Sequence, residues 1–102
     1  MIFLCAAADV PSGGCKRIGR GRLPAIAVFN LAGRFYATDD QCTHGAASLS
    51  AGDIEDGQVI CPLHFGAFDI ATGAPTEPPC DTALTTYPVT VSDGGLYIDG
   101  EA

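Results

Sequence analysis

Apolar runs and polar breaks divide this chain into three parts, with strand-like patterns at both ends and an irregular middle. Ala25-Ile26-Ala27-Val28-Phe29 is a short apolar run with β-branched and aromatic members. Arg34-Phe35-Tyr36-Ala37-Thr38 follows it across the turn at 30–33, so the two read as a β-hairpin. Upstream, residues 2–5 read as a strand, 9–14 as a Gly- and Pro-bearing turn, and 15–18 as the start of a second strand. Downstream, 86–92 and 96–98 read as strands joined by Asp93-Gly94-Gly95, while 82–84 is too short to assign.

Positions 39–80 lose this periodicity. Gly, Asp, Pro and Ser recur every few residues, and only 58–60 and 67–70 keep a strand pattern. Gly73, Pro75, Pro78 and Pro79 forbid a helix there. The expected architecture is therefore all-β and antiparallel, a barrel- or sandwich-like body with a small cap subdomain at approximately 39–80. A chain of 102 residues with 13 glycines and seven prolines makes one domain of short strands and tight turns, spanning 1–102.

Charge narrows the partners. The net charge is −7, and all five basic residues (Lys16, Arg17, Arg20, Arg22, Arg34) precede position 35. From Asp39 onward there are eleven acidic residues and no Lys or Arg. Nothing there neutralises phosphates, so neither nucleic acid nor an anionic membrane is an expected partner. The acidity serves solubility, or steers the chain to partners with a basic patch. No run approaches the length of a membrane span. The apolar start, Met1 to Ala8, has no basic n-region and reaches Asp9 too soon for an export signal. A reducing, cytoplasmic setting is expected, in which five cysteines are ligands or buried thiols and not disulfides.

The chemistry sits in two blocks of the irregular middle: Cys42-Thr43-His44 and, after a sixteen-residue gap, Cys61-Pro62-Leu63-His64. The chain has only two histidines, and each closely follows a cysteine. Two thiolates and two imidazoles suit a [2Fe–2S] cluster with cysteines on one iron and histidines on the other. Such a chain moves single electrons and transforms no substrate itself. A structural zinc site is the rival for any Cys₂His₂ set, although zinc fingers use a Cys–Cys then His–His order and follow it with a helix. Gly45 and Gly66 would let the backbone approach the cluster sulfurs, Pro62 stiffens the second loop, and Asp39 and Asp40 serve as turn formers.

The pattern Cys42-x-His44, sixteen residues, then Cys61-Pro62-x-His64-x-Gly66-x-Phe68 resembles the Rieske [2Fe–2S] proteins. More narrowly, it is similar to the small Rieske ferredoxins of bacterial multicomponent aromatic-ring dioxygenases. The resemblance extends to 53–57, to Phe68-Asp69-x-x-x-Gly73 and to Tyr87-Pro88-Val89. It implies a Rieske-type fold in which Cys42 and Cys61 hold the inner iron and His44 and His64 the outer, solvent-facing one. It also implies a non-catalytic electron carrier in aromatic hydrocarbon catabolism. A flavin-containing, NAD(P)H-dependent ferredoxin reductase would reduce it, and it would pass electrons singly to a terminal dioxygenase. The alternative is a small Rieske-like subunit of an assimilatory nitrite reductase.

The chain departs from the high-potential Rieske branch at informative positions. Those relatives bridge their two loops with an extra cysteine in each, whereas here Ala47 or a neighbour and Leu63 stand at the matching places. Gly66 and Phe68 replace the Ser and Tyr hydroxyls that donate to the cluster and its ligand in that branch. Fewer donors imply a potential toward the low end for Rieske centres, near about −150 mV. Cys5, Cys15 and Cys80 are expected to be structural thiols, with Cys80 near the cap's exit and close to the cluster. Leu63 and Phe65 are expected to shield the cluster, to form an apolar docking patch, or both.

Overall fold

A computed structural model describes residues 1–43, 45–63 and 65–99. In chain order its strands are β1 (Ile2–Ala6), β2 (Cys15–Arg20), β3 (Leu23–Leu31), β4 (Arg34–Asp39), β5 (Ile54–Glu55), β6 (Gln58–Ile60), β7 (Ala67–Asp69), β8 (Pro75–Glu77), β9 (Thr86–Tyr87), β10 (Val89–Ser92) and β11 (Gly95–Ile98). Short 3-10 turns at Ala7–Asp9 and Leu49–Ala51 are the described helical pieces. The strands form three antiparallel sheets, ordered β1-β11-β10, β2-β3-β4-β9 and β5-β6-β7-β8. The all-β antiparallel expectation holds.

β3 explains why three sheets make one molecule. Residues 26–29 are buried without a break, and strand alternation sends them to opposite faces. Ile26 and Val28 pack with Leu4, Cys5, Leu96 and Ile98 of the β1-β11-β10 sheet. Ala27 and Phe29 pack the other way, onto Val59, Phe68 and Ile70 of the β5–β8 region. The β2-β3-β4-β9 sheet is thus the middle layer, and the core on one of its faces contains Cys42, Cys61 and Cys80.

Three hairpins use the same turn chemistry. Ala32-Gly33, Asp56-Gly57 and Asp93-Gly94 all have positive φ at both residues, the mirror-image turn whose twist matches antiparallel strands. Asn30 locks the first: its Oδ1 accepts from the Gly33 N–H at 2.8 Å, and its Nδ2 donates to the Val10 carbonyl at 2.8 Å. β3 therefore runs on to Leu31, past the expected end at Phe29. The expected strand at 86–92 is split at Pro88, which has no N–H to donate to a ladder. β5 and β8 were not expected from pattern.

Candidate metal centre

Both cysteines of the spacing motif stand at the starts of hairpin-like tips. Cys42 follows β4, in a loop closed by the bridge between Gln41 and Ser48. Its N–H donates to the Ala47 carbonyl at 2.9 Å, while its own carbonyl accepts from Gly45 at 3.3 Å. Cys61 opens the tip between β6 and β7, whose last pair is Ile60 with Ala67. There the Cys61 N–H donates to the Gly66 carbonyl at 2.7 Å, and Phe65, at φ 61°, donates back to the Cys61 carbonyl at 3.0 Å. Backbone bonds within each loop thus set the cysteine without a helix or long strand.

The loops meet each other and a third segment. A Cβ at Gly45 would sit 3.3 Å from Leu63 Cδ2, so the glycine lets the second loop lie against the first. Thr43 Oγ1 donates to the Thr82 carbonyl at 2.6 Å, tying the first loop to the 80–82 segment. That segment carries Cys80, whose Sγ lies 3.9 Å from Cys42 Sγ. Cys42 (2% exposed), Cys61 (1%) and Cys80 (6%) share one apolar core. Burial first, then the adjacent Cys42 and Cys61, pushes the Cys80 thiol up to about 12.

Of the four candidate ligands, Cys42 and Cys61 lie in one buried core, while His44 and His64 lie outside the described residues. Two thiols at facing loop tips, held by the backbone and shielded from water, fit half of an iron–sulfur ligand set. Among the described residues, no three His, Cys, Asp or Glu side chains gather around a common metal position. Gly66 also makes room for the third segment: a Cβ there would run into Cys80 Sγ, and would lie 3.1 Å from the Cys80 nitrogen and 3.2 Å from the Glu77 carbonyl oxygen. Cys5 is buried in the opposite core, and Cys15 donates to the Ser50 carbonyl at 3.2 Å, which fits their expected structural roles. Among the described residues, Cys5, Cys15, Cys42 and Cys80 form no disulfide.

Asp40 matters more than a turn former would. Its buried carboxylate accepts from Ser48 Oγ, from the Ser50 N–H at 2.9 Å and from Arg17 Nε at 3.3 Å. Its backbone accepts from Leu49 at 2.7 Å and donates to Ala25 at 2.9 Å. This one side chain therefore closes the base of the first loop. The available signal was Ser48-x-Ser50, a donor pair shortly downstream of an acidic residue that no helix or strand uses. Asp39 ends β4 and accepts from Tyr87 Oη at 2.5 Å.

The outer surface beside the loops is apolar with an acidic border. Leu63 is 49% exposed and Phe65 75%, so neither is spent wholly on covering the core. A groove next to Phe65 is lined by Glu55, Asp56, Gln58 and Glu77. No helix of the described residues is long and apolar enough to cross a membrane.

Comparison with known proteins agrees with this geometry. Residues 1–88 match the family model of the Rieske [2Fe–2S] domain. The chain is 46% identical over 99 residues to the 3-phenylpropionate/cinnamic acid dioxygenase ferredoxin subunit of Escherichia coli K12, covering 96% of this chain and 92% of that protein. The solved ferredoxin of Sphingomonas yanoikuyae B1 matches with a TM-score of 0.94 and 42% identity, over 98% of both chains. A structure described as a complex of reduced oxygenase and oxidised ferredoxin in carbazole 1,9a-dioxygenase matches with a TM-score of 0.93 and 41% identity, over 98% of this chain and 93% of that one. A chain described as a nitrite reductase small subunit matches at 23% identity with a TM-score of 0.83, a likeness of fold alone.

Proposed function

We propose that this chain, which belongs to the Rieske [2Fe–2S] family and within it to the ferredoxin subunits of aromatic-ring dioxygenase systems, binds its cluster through Cys42, His44, Cys61 and His64. It is an electron-transfer ferredoxin, a carrier and not a catalyst. In the proposed arrangement Cys42 and Cys61 hold one iron, and His44 and His64 hold the other, solvent-facing one. The 39–80 stretch is the cluster-binding subdomain, and the remaining strands are its base. The observation that carries this reading is the pair of buried thiols, Cys42 and Cys61, at adjacent loop tips in a chain of this family.

When bound, the cluster supplies one-electron redox chemistry at the tip of the molecule. The chain's own residues hold it rigidly and control access. Backbone bonds fix both loops, Thr43 anchors the first to 80–82, and the apolar core keeps water from the two ligand sulfurs. Leu63 and Phe65 offer an exposed apolar contact, and Glu55, Asp56 and Glu77 border it with negative charge. A contact of this kind suits brief docking and quick release.

The donor in this reading is a flavin-containing, NAD(P)H-dependent reductase, and the acceptor is a terminal aromatic-ring dioxygenase. Dihydroxylation of a ring consumes two electrons, so the carrier makes two visits per turnover. A cytoplasmic setting, where NAD(P)H is at hand, belongs to the same reading.

The test is iron, sulfide and magnetic resonance on freshly purified protein. Two irons and two acid-labile sulfides per chain, with two nitrogen couplings in the reduced state, are expected. His64→Cys should retain some iron and lose the two-nitrogen signature. Stoichiometric zinc without sulfide, or an unchanged resonance signal in His64→Cys, refutes the ligand assignment.

A further inference from the structure

We propose that Cys80 is a positioning residue of the cluster site: its thiol donates a hydrogen bond to Sγ of Cys42, across the 3.9 Å between the two sulfurs, and so favours reduction of the bound cluster. This rests on the ligand assignment proposed above.

Three features fix the Cys80 sulfur where it is. Its backbone N–H is tied to the Glu77 carbonyl at 3.2 Å, at the end of β8. The Thr43–Thr82 bond clamps the same segment to the loop that carries Cys42. Gly66 leaves open the space that its own Cβ would occupy, and the Cys80 sulfur takes it. Cys80 is buried, so water does not compete for its hydrogen. A ligand thiolate at Cys42 has no hydrogen of its own and accepts one. The donated bond strengthens as negative charge builds on the ligand sulfur, which happens on reduction. Gly66 and Phe68 bring no hydroxyl to this site, so the third segment supplies a donor that these positions lack.

A cysteine that merely fills space predicts otherwise, because an apolar filler has no effect specific to the reduced state. The test pairs Cys80→Ala with Cys80→Ser. In protein-film voltammetry, Cys80→Ala is expected to lower the reduction equilibrium constant about threefold, which at 59 mV per decade is about 28 mV. Cys80→Ser keeps a donor and should recover at least half of that shift. An unchanged potential in Cys80→Ala, or equal shifts in both variants, overturns the donor role.

A second arm reads the contact without the cluster. Metal-free wild-type protein treated with diamide should form a Cys42–Cys80 disulfide. Two S–H bonds break, one S–S bond forms, the diazene takes both hydrogens to become a hydrazine, and the protein loses two hydrogens by mass. A disulfide between any other pair, or none, overturns the juxtaposition. Wild-type protein that takes up no iron refutes the ligand assignment and the donor role together, an outcome distinct from a loaded Cys80→Ala protein of unchanged potential.

Discussion

Gly66 and Cys80 occupy complementary space: the side chain that one lacks is replaced by the sulfur of the other. The contact joins the second loop to the segment after β8, far apart in sequence. Gly66→Ala should therefore destabilise the protein by about 1–3 kcal/mol through overpacking. Its cost should fall when Cys80→Ala is made in the same chain. The recovery will be partial, because the new Cβ also crowds the Cys80 nitrogen and the Glu77 carbonyl. Denaturant unfolding of the four members of the cycle measures the coupling. Strict additivity would place the glycine's importance elsewhere.

Asp40 is the other point where one residue holds a loop. Asp40→Ala strands the Ser48 hydroxyl and the Ser50 N–H beside a cavity, and should cost about 2–4 kcal/mol. Arg17→Ala should cost below about 1 kcal/mol, since that guanidinium is largely exposed and its pairing is screened. Unfolding curves give both values. A larger loss from Arg17 than from Asp40 would mean that the ion pair, and not the Ser48 and Ser50 bonds, closes the loop.

Tyr87 makes the alkaline limb of stability testable. Burial, and then the bond it donates to Asp39, raise its pKa above the usual value, while Arg20 over its ring acts the other way. The folded state thus keeps the phenol proton at pH values where the unfolded chain has released it. The stabilisation is whole below about pH 10, the unfolded value, and is lost as pH rises through the folded one. Tyr87→Phe should be less stable than wild type at neutral pH, by about 1 kcal/mol, and the gap should narrow above pH 10. A gap that widens there has the wrong sign for this proton.

The redox potential should lie near about −150 mV. Phe68 is fully buried and apolar, and Gly66 has no side chain, so neither brings a side-chain donor to a sulfur. Cys80 adds one weak thiol donor, too little to move the protein into the high-potential range. Dye-mediated titration of the loaded protein checks this, and a value above about +100 mV would contradict the donor count.

How much of this was legible depends on whether the cause was local. The β3–β4 hairpin was readable because Ile26 to Phe29 is an apolar run and Ala32-Gly33 has turn chemistry. β5 and β8 were not. Ile54-Glu55 and Pro75-Thr76-Glu77 carry no period of their own, and become strands only by pairing with β6 and β7. Pro75 is tolerated because β8 is an edge strand. Asp56-Gly57 was a strong hairpin signal that the surrounding irregular composition obscured. At the site, Cys42 and Cys61 announced themselves by their spacing from the histidines. The contacts of Asp40 with Ser50, and of Cys80 with Gly66 and Cys42, depend on tertiary neighbours. Pro78 and Pro79 hinted only that Cys80 leaves the cap near the site.

The exposed apolar tip should govern delivery of electrons without governing the cluster. Phe65 is the most exposed large side chain beside the two loops, and Leu63 lies next to it against Gly45. Neither supplies a ligand. Phe65→Ser should therefore leave iron content and potential unchanged, yet slow electron transfer to the oxygenase about tenfold at limiting concentrations, the loss typical of an apolar contact residue. The Glu55, Asp56 and Glu77 border predicts a second behaviour: if the partner presents basic residues, the rate should fall as salt rises. Replacing Glu55 and Glu77 together with Gln should flatten that salt dependence while leaving the high-salt rate near the wild-type value. Stopped-flow mixing of reduced ferredoxin with oxidised oxygenase, across ionic strength, separates the two effects. A Phe65→Ser protein with an undiminished rate would move the docking contact away from this tip.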